Sequence, residues 1–426
     1  MEAVFTYAAV YQAEAACRTP LRTGGTDGDP EQVLRSRNGQ AFVQGASLAG
    51  AMKDYLTSTS GPTLSKAIFG GPEGAGHLLV SDAVFEEPAE QYTRPRLKID
   101  PTTAAGADGK KFDMAHIGTG AKLRFSLTWL GTAESAKQEL PIVEQLLAAM
   151  DAGAIRLGAQ KSNGFGQLTL KVRKRTFDLA DAGDRQAWLS DKWEGRPLPL
   201  PKLEQKQEVV FTVTGRSENI LVKSAPVLER KDDKTSTYTP NLSEGGRDVL
   251  PGSSIKGAVR ARAEYISKVL GLKEDLVKQY FGREAQNDDN GLPGQVRFQD
   301  ALLSDQKKRI SRIHIDHFTG GVFRGGLFTE EPISTGLTLR ITAPNEPEIC
   351  GLLLYALRDL GLGLYNLGSG WAIGRGQVSV ERIQAVAPDG QTALLCLDGQ
   401  GGMKLEDPSG LFRGWLERLE GMRHEA

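Results

Sequence analysis

The sequence has few cysteines, no long apolar run and no large excess of positive or negative charge. Its three cysteines, Cys17, Cys350 and Cys396, lie far apart without metal-binding spacing, which excludes a disulfide scaffold and fits a reducing compartment. No run of 18 apolar residues occurs and the first residues lack a basic segment, so we expect a cytoplasmic protein with no membrane partner. Because the formal net charge is −1, only local basic patches could hold a polyanion.

Glycine, in contrast, is abundant, with 50 among the 426 residues. Hydrophobic residues make up 39 % of the chain and charged residues 25 %, which is typical of a globular protein with a buried core. At about 150 residues per domain, the length favours two or three domains.

Three motifs occur twice and in the same order, which indicates an internal duplication. VQGASLAGAMK from Val43 matches LPGSSIKGAVR from Leu250, IDPTTAAGADGKKF from Ile99 matches IDHFTGGVFRGGLF from Ile315, and GAQKSNGFGQLTL from Gly158 matches GSGWAIGRGQVSV from Gly368. The members of these pairs are 207, 216 and 210 residues apart. The duplication predicts domains at 1–194 and 208–395, a Pro-rich linker at 195–207 and a C-terminal extension at 396–426.

The hydrophobic pattern of both halves predicts the order strand, helix, strand, strand, helix, strand. After the second Gly-Ser turn, for example, Ile255, Val259 and Ile266 share one helix face. This order is that of a ferredoxin-like, α+β fold, with helices on one face of an antiparallel sheet. The predicted strands are 4–13, 122–129, 167–172, 207–215, 337–342 and 377–383, and the later helices are 142–152, 348–360 and, in the extension, an amphipathic helix at about 409–422.

The Gly-Ser turns are candidate phosphate sites, because small and hydroxyl residues that open a helix leave N–H groups at its positive end. The candidate residues are Ser47 and Lys53 in the first half and Ser253, Ser254, Lys256 and Arg260 in the second. The alternative is an ordinary helix N-cap flanked by exposed basic residues.

Both glycine-rich loops pair a cation with an aromatic residue, a combination that can stack on bases or hold phosphates. The candidates are Lys161, Asn163, Phe165, Trp371 and Arg375. Neither loop has the G-x-x-x-x-G-K-[ST] pattern of a nucleotide-hydrolysing P-loop. The alternative is a tight turn packed against the neighbouring helix.

The Ile-Asp segments 100–112 and 316–328 predict hairpin insertions. Phe323 could insert between stacked bases, and Lys110 and Arg324 could meet a nucleic-acid backbone there, whereas we expect Phe112 and Phe328 to lie in the core. His314 and Asp316 could offer metal ligands, but two or three ligands within the tetrapeptide 314–317 rarely complete a zinc site.

In this order, the motifs resemble those of the RAMP superfamily, and specifically the repeated backbone subunit of type III CRISPR effector complexes, here as two copies in tandem. The resemblance implies a modified RNA-recognition fold in which thumb-like hairpins wedge between bases along a CRISPR guide RNA. It further implies that complementary target RNA is cleaved beside a thumb and that other effector subunits are partners.

The resemblance also implies a catalytic aspartate in the loop before the Gly-Ser turn. The residue 16 positions before Gly45 is Asp29, whereas the one 16 positions before Gly252 is Ser236, with Asp232 and Asp233 as the nearest acids. We therefore expect cleavage in the first half and an inactive second half. Asp29 would hold Mg²⁺ or Mn²⁺ together with target RNA, whose own 2′-hydroxyl attacks the scissile phosphate.

Three other functions remain open. The chain could be a scaffold that holds guide and target RNA without cutting either. It could be a metal-independent endoribonuclease that processes guide RNA through His116 or His314. A pair of ferredoxin-like domains acting on a small molecule is the last alternative, and it would show no salt-dependent RNA affinity.

Overall fold

The structure, a computed structural model, describes residues 5–25, 29–72, 74–99, 106–191, 193–203, 208–231, 234–273, 275–285, 290–304, 306–399 and 401–422. The chain divides into two compact units. The first comprises Met1–Lys98, Ala107–Lys161 and Phe165–Glu204, and the second comprises Ile99–Gly106, Ser162–Gly164 and Gln205–Ala426. Within the described ranges, no helix has the length and apolar character needed to cross a bilayer.

The elements of the first half begin with the long strand that the alternating pattern predicted. They are β1 (Tyr7–Cys17), β2 (Phe42–Val43), α1 (Gly45–Ser60), α2 (Pro62–Phe69), β3 (Gly70–Gly71), β4 (Gly74–Ala75), β5 (Leu78–Val80), β6 (Ala83–Phe85), β7 (Gln91–Ile99), β8 (Gly106–Ile117), β9 (Lys122–Gly131), α3 (Ala133–Asp151), β10 (Leu168–Asp178), α4 (Ala182–Ser190) and β11 (Arg196–Leu198).

The main sheet of the first unit has the strand order β11-β10-β1-β9-β6-β2, with β5 also paired to β9. Strand β1 runs antiparallel to both neighbours, so that Tyr11 lies opposite Lys174 of β10 and Leu127 of β9. The last and third main strands therefore flank the first, which is the ferredoxin-like order. Leu48 of α1 and Leu147 of α3 pack with Tyr11 in one core cluster, so the helices cover one face of the sheet.

The second half repeats this arrangement and adds strands and a helix at its end. Its elements are β12 (Glu208–Ile220), β13 (Val227–Lys231), β14 (Lys234–Tyr238), β15 (Ser243–Glu244), β16 (Arg247–Leu250), α5 (Gly252–Leu270), α6 (Asp275–Phe281), β17 (Arg297–Phe298), β18 (Ala301–Leu303), β19 (Gln306–Lys307), β20 (Ile310–Ile315), β21 (Val322–Glu330), β22 (Ile333–Pro344), α7 (Pro347–Gly361), β23 (Ser379–Val386), β24 (Thr392–Leu397), β25 (Met403–Glu406) and α8 (Leu411–Gly421).

The sheet of the second unit has the order β17-β22-β12-β23-β24-β25, with β12 between the third and last main strands. Val209, Phe211 and Val213 alternate into the core of this unit, where they meet Leu353 of α7. The prediction of two ferredoxin-like halves in an α+β chain is confirmed. The amphipathic C-terminal helix is also confirmed, because Trp415 of α8 joins the same core.

The start of α3 differs most from its prediction. The sequence pattern predicted a helix from Ile142, but α3 begins at Ala133 and contains Pro141 inside it. Thr132 and Ser135 form a reciprocal capping box at the true start, and such a box satisfies backbone N–H groups that a helix end leaves open.

Candidate nucleic-acid interface

The Gly-Ser turns bring the first residue of a long helix against backbone atoms of a short strand, β5 in the first half and β17 in the second. A Cβ atom at Gly45 would lie 2.4 Å from Val80 O, and one at Gly252 would lie 2.2 Å from Phe298 O. Because any larger side chain would clash with a backbone carbonyl, these turns require glycine for close approach.

A carboxylate already binds the first N–H group of both helices. Asp82 Oδ1 accepts a hydrogen bond from Gly45 N, and Asp300 Oδ1 accepts one from Gly252 N, each at 2.7 Å. The two aspartates are 218 residues apart, so they are a fourth repeated feature that the sequence analysis missed. Negative charge at these helix starts favours the N-cap alternative over a phosphate site, and the contacts of Ser47, Ser253 and Ser254 with RNA stay predictions.

We expect Asp300→Ala to lower the free energy of unfolding by about 1 kcal/mol, because the helix loses its capping acceptor. Asp300→Asn is the matched control, since its amide oxygen can accept the same hydrogen bond from Gly252. Urea denaturation followed by circular dichroism measures both variants. Equal stability of the alanine variant and the wild type would contradict the capping role.

The basic residues two turns into these helices bind backbone carbonyls. Lys53 Nζ lies 2.8 Å from Gly70 O, after α2, and Arg260 Nη1 lies 2.9 Å from Gly282 O, after α6. Lys53 therefore joins α1 to the end of α2, and Arg260 joins α5 to the end of α6. These bonds have a structural role, and the contacts of both residues with RNA stay predictions. Lys256 Nζ lies 3.0 Å from Ser162 Oγ within the second unit.

The glycine-rich loops correct two predicted RNA contacts. Phe165 is fully buried and Arg375 is only 5 % exposed, so the prediction that they meet bases or phosphates directly is wrong for this structure. Trp371, in contrast, is 57 % exposed on a short 3₁₀ helix. Lys161 is exposed and Asn163 is half-buried, so both stay candidates.

The hairpins β7–β8 and β20–β21 display side chains to solvent, and residues 100–105 at the first hairpin lie outside the described part of the chain. Lys110 and Arg324 are exposed, and Phe323 is 55 % exposed. The expectation that Phe112 and Phe328 lie in the core is wrong, because both are about half exposed. A two-stranded hairpin has no second layer to bury both faces.

Asp316, one of the candidate metal ligands, forms a turn at the second hairpin. Asp316 Oδ1 accepts hydrogen bonds from the backbone of Phe318 and from the backbone and hydroxyl of Thr319, and these bonds lower its pKa. The ring of His314 lies beside that of Phe323, with centroids 5.5 Å apart. Among the described residues, no group of three His, Cys, Asp or Glu side chains could hold a metal ion.

At the base of the first hairpin, a cation and aromatic rings join the hairpin to the glycine-rich loop. The Arg94 guanidinium lies 5.1 Å from the centroid of the Phe165 ring. The buried His116 ring lies 5.3 Å from Phe165 and 6.1 Å from Tyr92. Burial in this stack places His116 away from a scissile phosphate, which weakens the guide-processing alternative that uses it.

At the base of the second hairpin, the corresponding positions form an ionic cluster. Glu330 is 3 % exposed and pairs with Arg375 at 2.5 Å, Lys223 at 2.8 Å and Arg312 at 3.1 Å. Burial opposes its ionisation, but hydrogen bonds from these three cations outweigh burial and lower the pKa of Glu330 to about 2. We call these four residues the Glu330 cluster. The repeat spacing could have matched Arg312 with Arg94, since they are 218 residues apart, as are the capping aspartates. It gives no signal that Glu330 and Lys223 join Arg312.

Asp29 lies half-buried in the loop before the first Gly-Ser turn. Its Oδ1 accepts a hydrogen bond from Glu31 N at 2.8 Å. Nearby, the Arg22 guanidinium donates hydrogen bonds to Pro30 O and Ala115 O. Burial lowers the pKa of Arg22, whereas the negative charge of Asp29 opposes that shift. Asp232 and Asp233, the corresponding acids in the second half, lie outside the described residues.

No curated protein matches the chain. One similar solved chain belongs to a cryo-EM structure of the type III-B Cmr-beta bound to cognate target RNA, with 16 % identity and a TM-score of 0.32. That match covers 40 % of this chain and 61 % of the other.

The family comparison covers most of the chain. The family model of the RAMP superfamily matches residues 14–169 and, a second time, residues 214–379. These two regions contain the Gly-Ser turns, the hairpins and the glycine-rich loops described above. The chain therefore belongs to the RAMP superfamily, with one copy of the family fold in each half.

Proposed function

We propose that the chain is an RNA-binding backbone subunit of a type III CRISPR effector complex, whose partners are guide RNA, complementary target RNA and other effector subunits. The observation that carries this proposal is that both RAMP-matching halves expose cationic or aromatic side chains on a hairpin and a glycine-rich loop. Such side chains hold a nucleic-acid backbone and stack on its bases. They are Lys110, Lys161, Phe323, Arg324 and Trp371.

We further propose that the first half cleaves target RNA at Asp29. One carboxylate suits Mg²⁺ or Mn²⁺ when RNA phosphates and water complete the ligand shell, and the half-exposed Asp29 carboxylate has one oxygen committed to Glu31 N. When bound, such an ion would neutralise charge on the scissile phosphate. In the cleavage step, the RNA 2′-oxygen bonds to phosphorus and gives its proton to water, while the bond from phosphorus to the 5′-oxygen breaks and that oxygen takes a proton from water. The products are a 2′,3′-cyclic phosphate and a 5′-hydroxyl, so DNA is not cut.

Fluorescence anisotropy with labelled single-stranded RNA tests the binding proposal. Because phosphate contacts release counterions, we expect the logarithm of the affinity to fall linearly with the logarithm of salt, by about 0.7 per contact. An affinity that does not depend on salt, or no binding at all, would overturn the proposal and favour the small-molecule alternative.

We expect Trp371→Ala to weaken RNA binding by roughly tenfold, because an exposed indole stacks on a base with about 1–3 kcal/mol. Trp371→Phe should keep most of the affinity, since it retains an aromatic face. Ile373→Ala is the matched control on the same 3₁₀ helix, where Ile373 is comparably exposed without a ring. Equal losses in the Ile373 and Trp371 variants would show that the loop is merely disturbed.

A further inference from the structure

We propose that the Glu330 cluster binds a phosphodiester group of RNA at the base of the second hairpin. This inference rests on the RNA-binding function proposed above and assigns a site to it. The cluster is layered: Glu330 and Arg375 are buried, whereas the side chains of Lys223 and Arg312 are 46 % and 38 % exposed. The buried pair thus fixes the carboxylate, and the two outer cations face solvent.

The charge of the cluster is not balanced. Three cations surround one carboxylate among the described residues, which leaves two positive charges in excess. Arg312 uses two of its five N–H donors on Glu330, and Lys223 uses one of its three. The remaining donors of these two side chains are not taken by any described residue, so they can bind an anion without breaking the cluster.

The junction between hairpin and glycine-rich loop in the first half contains aromatic rings. There the junction is built around the rings of Phe165 and His116, with Arg94 over Phe165. Phe165 and Arg375 are 210 residues apart, the same spacing as the glycine-rich loops that carry them. The second half thus has a cation, Arg375, at the position where the first half has the ring of Phe165.

The surroundings of the cluster indicate a nucleic acid more than a small anion. Arg375 lies in the loop that exposes Trp371, and Arg312 lies on the hairpin that exposes Phe323 and Phe328. A phosphate held between the two elements would have aromatic rings available for the bases on either side. The Arg312 guanidinium also lies 5.5 Å from the centroid of the Phe328 ring, which orients its planar donors.

The test compares RNA binding by the full chain and by the double variant Lys223→Gln, Arg312→Gln, in a salt titration with fluorescein-labelled single-stranded RNA. At physiological ionic strength we expect the Kd to rise roughly tenfold and the salt slope to fall by about 1. The charge-retaining variant Lys223→Arg should keep the salt slope of the wild type, because it removes no positive charge. If the double variant unfolds, Lys223→Gln alone, at an exposed side chain, should still lower the slope.

Arg309→Gln is the matched control, because Arg309 comes directly before the same hairpin and is 41 % exposed. Its charge is matched by Glu229 at 2.6 Å and Glu331 at 3.2 Å, so its removal should change the Kd less than twofold. If the folded Lys223 and Arg312 variants keep the wild-type Kd and salt slope, the phosphate site is rejected but the proposed RNA binding stands. Failure of the wild type to bind RNA would overturn the proposed function and, with it, this site.

Discussion

Asp29→Asn should lower guided cleavage of target RNA by about 100-fold or more, because a neutral amide is a poor ligand for a divalent cation beside a phosphate. The affinity for guide and target RNA should stay within twofold. The measurement uses the chain assembled with guide RNA and its partner subunits, end-labelled complementary RNA and Mg²⁺, and it maps the cuts over time.

The structure makes asparagine the informative substitution. Asp29 Oδ1 accepts the hydrogen bond of Glu31 N, and an amide oxygen can accept the same bond, so the loop keeps its turn while the charge is lost. Glu31→Gln is the matched control, since Glu31 is an exposed acid in the same loop. Removing the Glu31 charge should leave the rate of cleavage unchanged.

The chemistry of the cut provides an independent check on Asp29. EDTA should stop cleavage, and a single 2′-deoxy nucleotide before the scissile phosphate should protect that position, because the attacking hydroxyl is absent. A cut that survives Asp29→Asn at a regular distance from the first would place activity in the second half. If the wild type binds target RNA and leaves it whole, the scaffold function holds and the nuclease is rejected.

Glu330→Gln should lower the free energy of unfolding of the second unit by about 3 kcal/mol, because it leaves buried Arg375 and its neighbouring cations without their counter-charge. Glu331→Gln is the matched control at the next residue. Glu331 pairs with the half-exposed Arg309, and a pair of this kind contributes about 1 kcal/mol or less. Urea denaturation at neutral pH measures both losses, and equal stability of the two variants would contradict the central role of Glu330.

The same cluster predicts a pH dependence. The pKa of Glu330 is lowered from the usual 4.5 to about 2, so its carboxylate stabilises the folded state fully above about pH 4.5. This contribution should disappear as the pH falls from 4.5 towards 2. Thermal unfolding over that range should therefore show a larger loss of stability in the wild type than in Glu330→Gln, whereas parallel curves would contradict the ionic cluster.

Much of the architecture was predictable because it depends on local patterns that occur twice. Alternating apolar residues such as Val209, Phe211 and Val213 determine which face of a strand is buried, and the repeated Gly-Ser turns mark where the long helices begin. Element ends were less predictable. The start of α3 depends on the capping box of Thr132 and Ser135, a pair of side-chain bonds that leaves little signal in the hydrophobic pattern.

The sequence by itself determined the duplication, the family fold and the chemical types at each loop, because these follow from residue order and spacing. Only the tertiary structure decided which of those side chains meet solvent. It buried Phe165 and Arg375, exposed Phe112 and Phe328, and assembled the Glu330 cluster. Burial and ion pairing depend on residues far apart in the chain, here separated by up to about 150 positions between Lys223 and Arg375, and no local pattern records them.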